Sequence, residues 1–249
     1  MTYRCIDLET TGLPVDGGDP TGIMEAGWCD MRFDIIKPPE SVFVDCGIPV
    51  SIGARAVHHI SDAMVAGQIR PDEACKLIAD GAHEYLCAHN IDHEKYYVGA
   101  GVNAATGEER KWLCSYKTAL RIWPDAPGHK LQELRYFLKL DDTDDFDLAL
   151  AEPPHRAAGD AYVCAHLLRR ILHEPKITVE QLVRWSSGPA LLYMCYMKKH
   201  KGKPWSQVVR EDRAYLTWIF EESDITDRDI RATVKYWLKQ TETGAHASG

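Results

Sequence analysis

The feature that most constrains this chain is a pair of acids inside an apolar run, Tyr3-Arg4-Cys5-Ile6-Asp7-Leu8-Glu9-Thr10-Thr11-Gly12-Leu13-Pro14. Tyr3 to Leu8 reads as a buried strand, and side chains two residues apart on a strand leave the same face. Asp7 and Glu9 therefore point the same way. Like charges side by side repel, and burying either one unpaired is costly, so something positive is expected between them. A hard divalent cation is the simplest candidate. The plainer alternative is a strand ending in a solvated acidic turn, with Thr10-Thr11-Gly12 as the turn.

Downstream, strand-like and helix-like stretches alternate. After a loop from Pro14 to Gly22, Ile23 to Ile36 reads as one or two strands and Val42 to Cys46 as another. Asp62 to Ala66 and Asp72 to Tyr85 have helical character, Leu86 to His89 ends a buried strand, and a helix starts near Asp92. Gly99 to Lys111 is a polar excursion; Trp112 to Trp123 is strand then helix, Lys130 to Leu138 a helix, and Asp141 to Asp147 an acidic surface loop. Ala157 to Leu172 is a strong amphipathic helix. This order predicts a mixed α/β sheet covered by helices. A boundary is expected near Glu174-Pro175, giving a domain over 1–175, a small, mainly helical module over 176–240 and a frayed tail over 241–249. Trp185, Trp205, Trp218 and Trp237 read as core residues of that module.

The net charge of -8 argues against a non-specific polyanion binder, but it is unevenly spread. Residues 1–175 carry 17 Lys and Arg against 28 Asp and Glu, whereas residues 176–249 carry 12 against 9. The acidity thus lies with the suspected metal-holding carboxylates. In the tail, Lys198 to Lys203 forms a basic turn, either a solvated loop or a contact for phosphates. The eight cysteines include no C-x-x-C pair and read as reduced core thiols. No apolar run reaches membrane-spanning length and Met1-Thr2-Tyr3-Arg4 shows no signal pattern, so a cytoplasmic protein without membrane contact is expected.

Two further stretches bring acids to turns. Pro153-Pro154-His155-Arg156-Ala157-Ala158-Gly159-Asp160-Ala161 puts a histidine just outside a helix and an aspartate in its first turn. The two are out of phase on a helix, yet a loop histidine can fold back toward the aspartate. Leu86-Cys87-Ala88-His89-Asn90-Ile91-Asp92-His93-Glu94 is again strand, turn and helix, with acids that capping alone would explain.

In order and spacing, Asp7-Leu8-Glu9-Thr10-Thr11-Gly12, Ala88-His89-Asn90 with a following acid, and His155-Arg156-Ala157 with Asp160-Ala161 resemble the DEDDh 3'-5' exonucleases. That family includes proofreading subunits of bacterial replicative polymerases, ribonuclease T and oligoribonuclease, and the likeness is strongest to its exodeoxyribonuclease X branch. Ala56 to Val65, Leu113 to Lys117, Ile122 to Pro124, Lys198 to Lys203 and Tyr215 to Phe220 extend it over nearly the whole chain. One position departs. The family's middle acid is an aspartate four residues after the asparagine, which lands here on Glu94, with Asp92 as the alternative.

The resemblance implies a ribonuclease H-like fold in which Asp7, Glu9, Glu94 and Asp160 hold two Mg2+ or Mn2+ ions, with Asp7 bridging and His155 as the general base. It implies release of nucleoside 5'-monophosphates from 3' ends, preferably of single-stranded DNA. Thr10, Thr11 and Leu13 would meet the terminal nucleotide, and His58 and His93 either line the same pocket or are satisfied structural histidines. Two other readings stay open: a nucleic-acid-binding module with weakened catalysis, for which Glu94 is the sole support, and an exonuclease acting on RNA.

Overall fold

A computed structural model describes residues 1–13, 21–79, 83–99 and 109–242. The expected polar excursion and the frayed tail lie largely outside them. β1 (Thr2–Thr10) runs through the middle of a six-stranded mixed sheet. β2 (Ile23–Arg32) lies antiparallel to it, with Glu9 opposite Glu25, and pairs in turn with the short β3 (Ile35–Ile36) and β4 (Glu40–Phe43). Helices α1 (Ile52–His58), α2 (Asp62–Val65) and α3 (Pro71–Ala79) follow. β5 (Tyr85–Ala88) pairs parallel with β1, and after α4 (Ile91–Val98), β6 (Lys111–Cys114) pairs parallel with β5. The chain then forms α5 (Ser115–Ile122), α6 (Leu131–Phe137), α7 (Leu148–Ala151), α8 (Ala157–Leu172) and α9 (Val179–Ser187).

Parallel pairing of β1 with β5 decides where chemistry can gather. Their carboxyl ends share one sheet edge, so α4, which leaves β5 there, starts beside the end of β1. The two faces of β1 are equally clear. Ile6 and Leu8 pack with Leu86, Trp112, Ala74 and Ile78 under α3 and α4. Tyr3 and Cys5 pack on the opposite face against Ala161, Cys164, Ala165 and Leu168 of α8. Asp7 and Glu9 continue that second row. Small residues let α8 lie close: a Cβ on Gly27 would come within 2.2 to 2.5 Å of the backbone of Ala157 and Ala158.

On the α3 side, Arg4 is 8% exposed and forks onto Asp30, its cross-strand partner, at 2.7 and 3.1 Å. The same guanidinium donates to the carbonyls of Leu77 and Ile78 at the end of α3, and His83 completes the cluster 2.9 Å from Asp30. Of the expected helix from Asp72 to Tyr85, α3 is described as far as Ala79, and Tyr85 lies in β5 instead, where it and Leu86 pack into the two cores.

A second core, built from Cys195, Trp205, Val208, Val209, Leu216, Ile219, Ile230 and Val234, holds the C-terminal module together. It comprises the hairpin β7 (Met194–Cys195) and β8 (Lys203–Pro204), then α10 (Trp205–Glu211), α11 (Arg213–Glu221) and α12 (Arg228–Glu242). α9 is not part of it. Leu182 is buried in the first core with Val179, Val183 and Trp185 against it, and Ser186 Oγ accepts the Cys114 N–H at 2.7 Å. A boundary at residue 175 thus cuts through the first core, which runs on to Ser187. Of the four tryptophans expected inside the module, Trp205 is buried and Trp237 packs on it, Trp185 belongs to the first core, and Trp218 is 44% exposed and stacked on Tyr215. Among the described residues no helix is long and apolar enough to cross a membrane.

Candidate active site

The carboxyl end of β1, the start of α4 and the start of α8 meet at one edge of the sheet. There Asp7, Glu9 and Asp160 each offer a carboxylate oxygen, and these atoms lie within 4.8 Å of one another. Asp160 is held from two sides: Gln132 Nε2 of α6 donates to Oδ1 at 2.7 Å, and the backbone N–H of His155 donates to Oδ2 at 2.9 Å. The loop before α8 does fold back on the aspartate, through its backbone.

Glu94 comes from the far side. Ile91 and Glu94 are three residues apart on α4, so they share a face, and both are buried, at 1% and 4% exposure. Glu94 Oε2 is a buried oxygen without a hydrogen-bond partner. Asp92 lies roughly 200° around the helix from Glu94; its side chain is 68% exposed and pairs with the ammonium of Lys117 at 2.7 Å. Of the two candidates for the middle acid, only Glu94 faces the cluster.

Burial dominates the electrostatics of all four acids. Burial first, then Asp160, Glu9 and Glu94, push the Asp7 carboxyl well above the usual range. Glu9 is pushed up to about 8, mainly by burial and then by Asp160 and Glu25, while Arg156 opposes the rise. Burial likewise lifts Glu94 to about 8, and Asp160 is raised for the same reason against the pull of Gln132 and His155. Four acids in one edge, one of them with an orphaned buried oxygen, fit a hard divalent cation, and an all-oxygen donor set suits Mg2+ or Mn2+ better than a soft ion.

His155 sits in the left-handed region at φ 62° with its side chain exposed. Thr10 and Thr11 are 7% and 3% exposed. The Thr10 hydroxyl donates to Gly12 O at 2.9 Å and that of Thr11 accepts the Gly22 N–H at 3.0 Å, so both hydroxyls serve the turn. His58 departs further from a pocket-lining role: it is 3% exposed, Nε2 meets Thr10 O at 3.1 Å and Nδ1 accepts the Ile60 N–H at 3.0 Å. With both ring nitrogens engaged it is a structural prop for the end of β1. His93 is half-buried, edge-on to Tyr97 with centroids 5.3 Å apart, and its basicity is lowered by burial. Leu13 is 75% exposed at the turn.

Sequence reading did not single out Glu25 or Gln132, and it met Arg156 only as a motif residue without a role. Glu25 gave the same signal as Asp7, a lone acid within Ile23-Met24-Glu25-Ala26-Gly27-Trp28, and is 1% exposed. Gln132 gave none, since only packing of α6 on α8 brings it to Asp160.

No family model matches the chain. Exodeoxyribonuclease 10 of Escherichia coli (strain K12) is 30% identical over 242 residues, which cover 96% of this chain and 99% of the relative. Among solved structures, exonuclease X in complex with 5' overhanging duplex DNA aligns with a TM-score of 0.60 and 29% identity over 74% of this chain and 99% of that one. The cell-death related nuclease 4 shares the fold, with a TM-score of 0.51 and 14% identity over 69% of this chain and 63% of that one. With nearly the full length of both sequences aligned at that identity, and a matching sheet, this chain belongs to the DEDDh family of 3'-5' exonucleases.

Proposed function

We propose that this exonuclease shortens DNA strands from their 3' ends, preferring an unpaired terminus, and releases nucleoside 5'-monophosphates. The observation that carries this reading is the convergence of Asp7, Glu9 and Asp160 within 4.8 Å, with buried Glu94 beside them. Asp7, Glu9 and Asp160 would hold one cation, and Asp7 with Glu94 a second. Such a pair supplies charge stabilisation for the attacking and leaving oxygens of an in-line displacement. The protein's own part is to hold the carboxylates in register and to manage a proton. His155 takes the proton of the attacking water as its oxygen bonds to phosphorus, while the 3' oxygen of the preceding nucleotide leaves. Its exposed imidazole, held by no hydrogen bond among the described residues, has the freedom this needs.

Terminal-base contact falls to exposed Leu13 and half-buried His93, because the Thr10 and Thr11 hydroxyls are occupied. Apolar and ring contacts of this kind tolerate any base. The choice of DNA rests on the similarity to exodeoxyribonuclease 10. The test is incubation of end-labelled DNA and RNA oligonucleotides, single- and double-stranded, with Mg2+, Mn2+ or chelator. Mononucleotides released from DNA, absent in chelator and in Asp7→Ala, support the proposal. Faster release from RNA overturns the substrate, and binding without cleavage under every metal overturns the reaction.

A further inference from the structure

We infer that Glu25 and Arg156 are positioning residues that set the active-site end of α8, so that Asp160 and His155 are placed by the same strand pair that carries Glu9. The inference rests on the reading of Asp7, Glu9 and Asp160 as a cation-binding group. Glu25 lies on β2 directly opposite Glu9 and is 1% exposed. A carboxylate so deeply buried needs donors for its lone pairs, and it has four. Arg156 Nε and NH2 donate to Oε2 and Oε1, both at 2.9 Å, the Ala157 N–H donates to Oε2 at 3.2 Å, and Ser41 Oγ donates to Oε1 at 2.9 Å.

Three of those four bonds come from the first residues of α8. Arg156 occupies the N-cap position but gives its own helix no side-chain cap. Its guanidinium reaches across to β2 instead, where a planar fork on a carboxylate fixes direction as well as distance. Glu25 thereby satisfies one of the unpaired N–H groups at the start of α8 from a different element. Gly27, two residues along the same face of β2, permits contact with the backbone of Ala157 and Ala158. The helix start is thus fastened at two adjacent points of one strand.

From there the geometry passes directly to the site. The Asp160 N–H donates to Arg156 O at 3.0 Å, and the His155 N–H donates to Asp160 Oδ2 at 2.9 Å. Any swing of Arg156 displaces both neighbours. Arg156 also opposes the upward shift of Glu9, so its charge reaches across the gap as well as its bonds. Phe43 supports the guanidinium from the far side, with Arg156 Cζ 5.4 Å from its ring centroid.

The experiment compares Glu25→Gln, Glu25→Asp, Arg156→Gln and the double variant Glu25→Gln/Arg156→Gln. Three readouts are needed: melting temperature in chelator, the Mn2+ concentration giving half the maximal thermal shift, and kcat and KM on an end-labelled oligonucleotide. Each glutamine variant is expected to raise the Mn2+ midpoint and lower kcat by about 10- to 100-fold, with KM within about threefold, as for partners that orient metal ligands. The double variant should be no worse than the singles, because both remove one pair, and Glu25→Asp should recover part of the loss. A lower melting temperature with unchanged Mn2+ midpoint and kcat would reduce the pair to a structural staple; so would losses that multiply in the double variant. If Glu25→Gln does not fold, Ser41→Ala and Arg156→Gln carry the same readouts and criteria. Should Asp7→Ala stay active while the Mn2+ midpoint still depends on Glu25, the proposed reaction fails and the positioning role stands.

Discussion

Replacing Glu94 by glutamine separates a metal ligand from a structural acid, because the two make opposite predictions for the metal-free protein. Burial lifts the Glu94 carboxyl from 4.5 to about 8. An acid whose folded value is raised favours the folded state at low pH and loses that contribution as pH rises from its unfolded value through its folded one. Metal-free protein should therefore lose stability between about pH 4.5 and 8. At roughly 1.4 kcal/mol per unit, the penalty at pH 7 has an upper bound of roughly 3 kcal/mol. A glutamine removes the charge but keeps a buried amide, which returns about 1 to 2 kcal/mol of that cost. The net gain of about 1 to 2 kcal/mol corresponds to roughly 2 to 6 °C in Tm for a chain of this size. Differential scanning calorimetry in chelator from about pH 5 to about pH 8.5 should show the variant more stable than wild type at the alkaline end and flatter in pH. Saturating Mn2+ should reverse the order, since a cation at about 100 times its Kd adds about 2.7 kcal/mol to the protein that binds it best. A variant less stable than wild type at pH 8 in chelator, or one with the same pH slope, refutes the reasoning. Asp92→Asn is the matched control: it leaves the buried Lys117 ammonium unpaired, so it should cost about 1 to 2 kcal/mol while activity stays near wild type.

Three other outcomes are expected. His155→Ala should lower kcat on the order of 10²- to 10⁴-fold with little change in KM, and a pH–rate profile that keeps its wild-type acid limb would rule the residue out as the base. Asp30 is held well below the usual carboxylate range by His83 and Arg4 against the opposing effect of burial, so its contribution is present above its unfolded value and is lost as pH falls through the depressed folded one. Asp30→Asn should therefore cost about 3 to 5 kcal/mol at neutral pH by removing the carboxylate that balances the buried Arg4 charge, and urea denaturation with less than about 1 kcal/mol lost would contradict that. Gly27→Ala places a methyl against the backbone of Ala157, and since backbone cannot yield as a side chain can, a loss of about 3 kcal/mol or more, together with weakened Mn2+ binding, is expected from thermal melts.

By itself the sequence determined most of the order of strands and helices in the first core and the bounds of α8 at Ala157 and Leu172, but not α1, α7, α10 or the β7–β8 hairpin. The family resemblance supplied the gathering of Asp7, Glu9 and Asp160 at one edge, and the sequence itself marked them as acids at element ends. These are properties of short-range periodicity: an acid at every second position of an apolar strand, or in the first turn of an amphipathic helix, is legible without knowing what packs above it. The role of Asp92 was not legible in that way. Both Asp92 and Glu94 fit a helical turn, and only the docking of Ile91 into the core turned Glu94 inward and Asp92 toward Lys117. His58, Thr10 and Thr11 carry polar groups that the sequence leaves open to substrate, but the fold spends them on the end of β1. The module boundary moved for a related reason, since α9 reads as an ordinary short amphipathic helix until β6 and α5 offer it a surface. Glu25 shows the division most clearly: its burial could be read from the strand around it, whereas its partner Arg156, 131 residues away, was chosen by tertiary structure alone. Periodicity records which face a residue occupies, and only packing decides what that face meets.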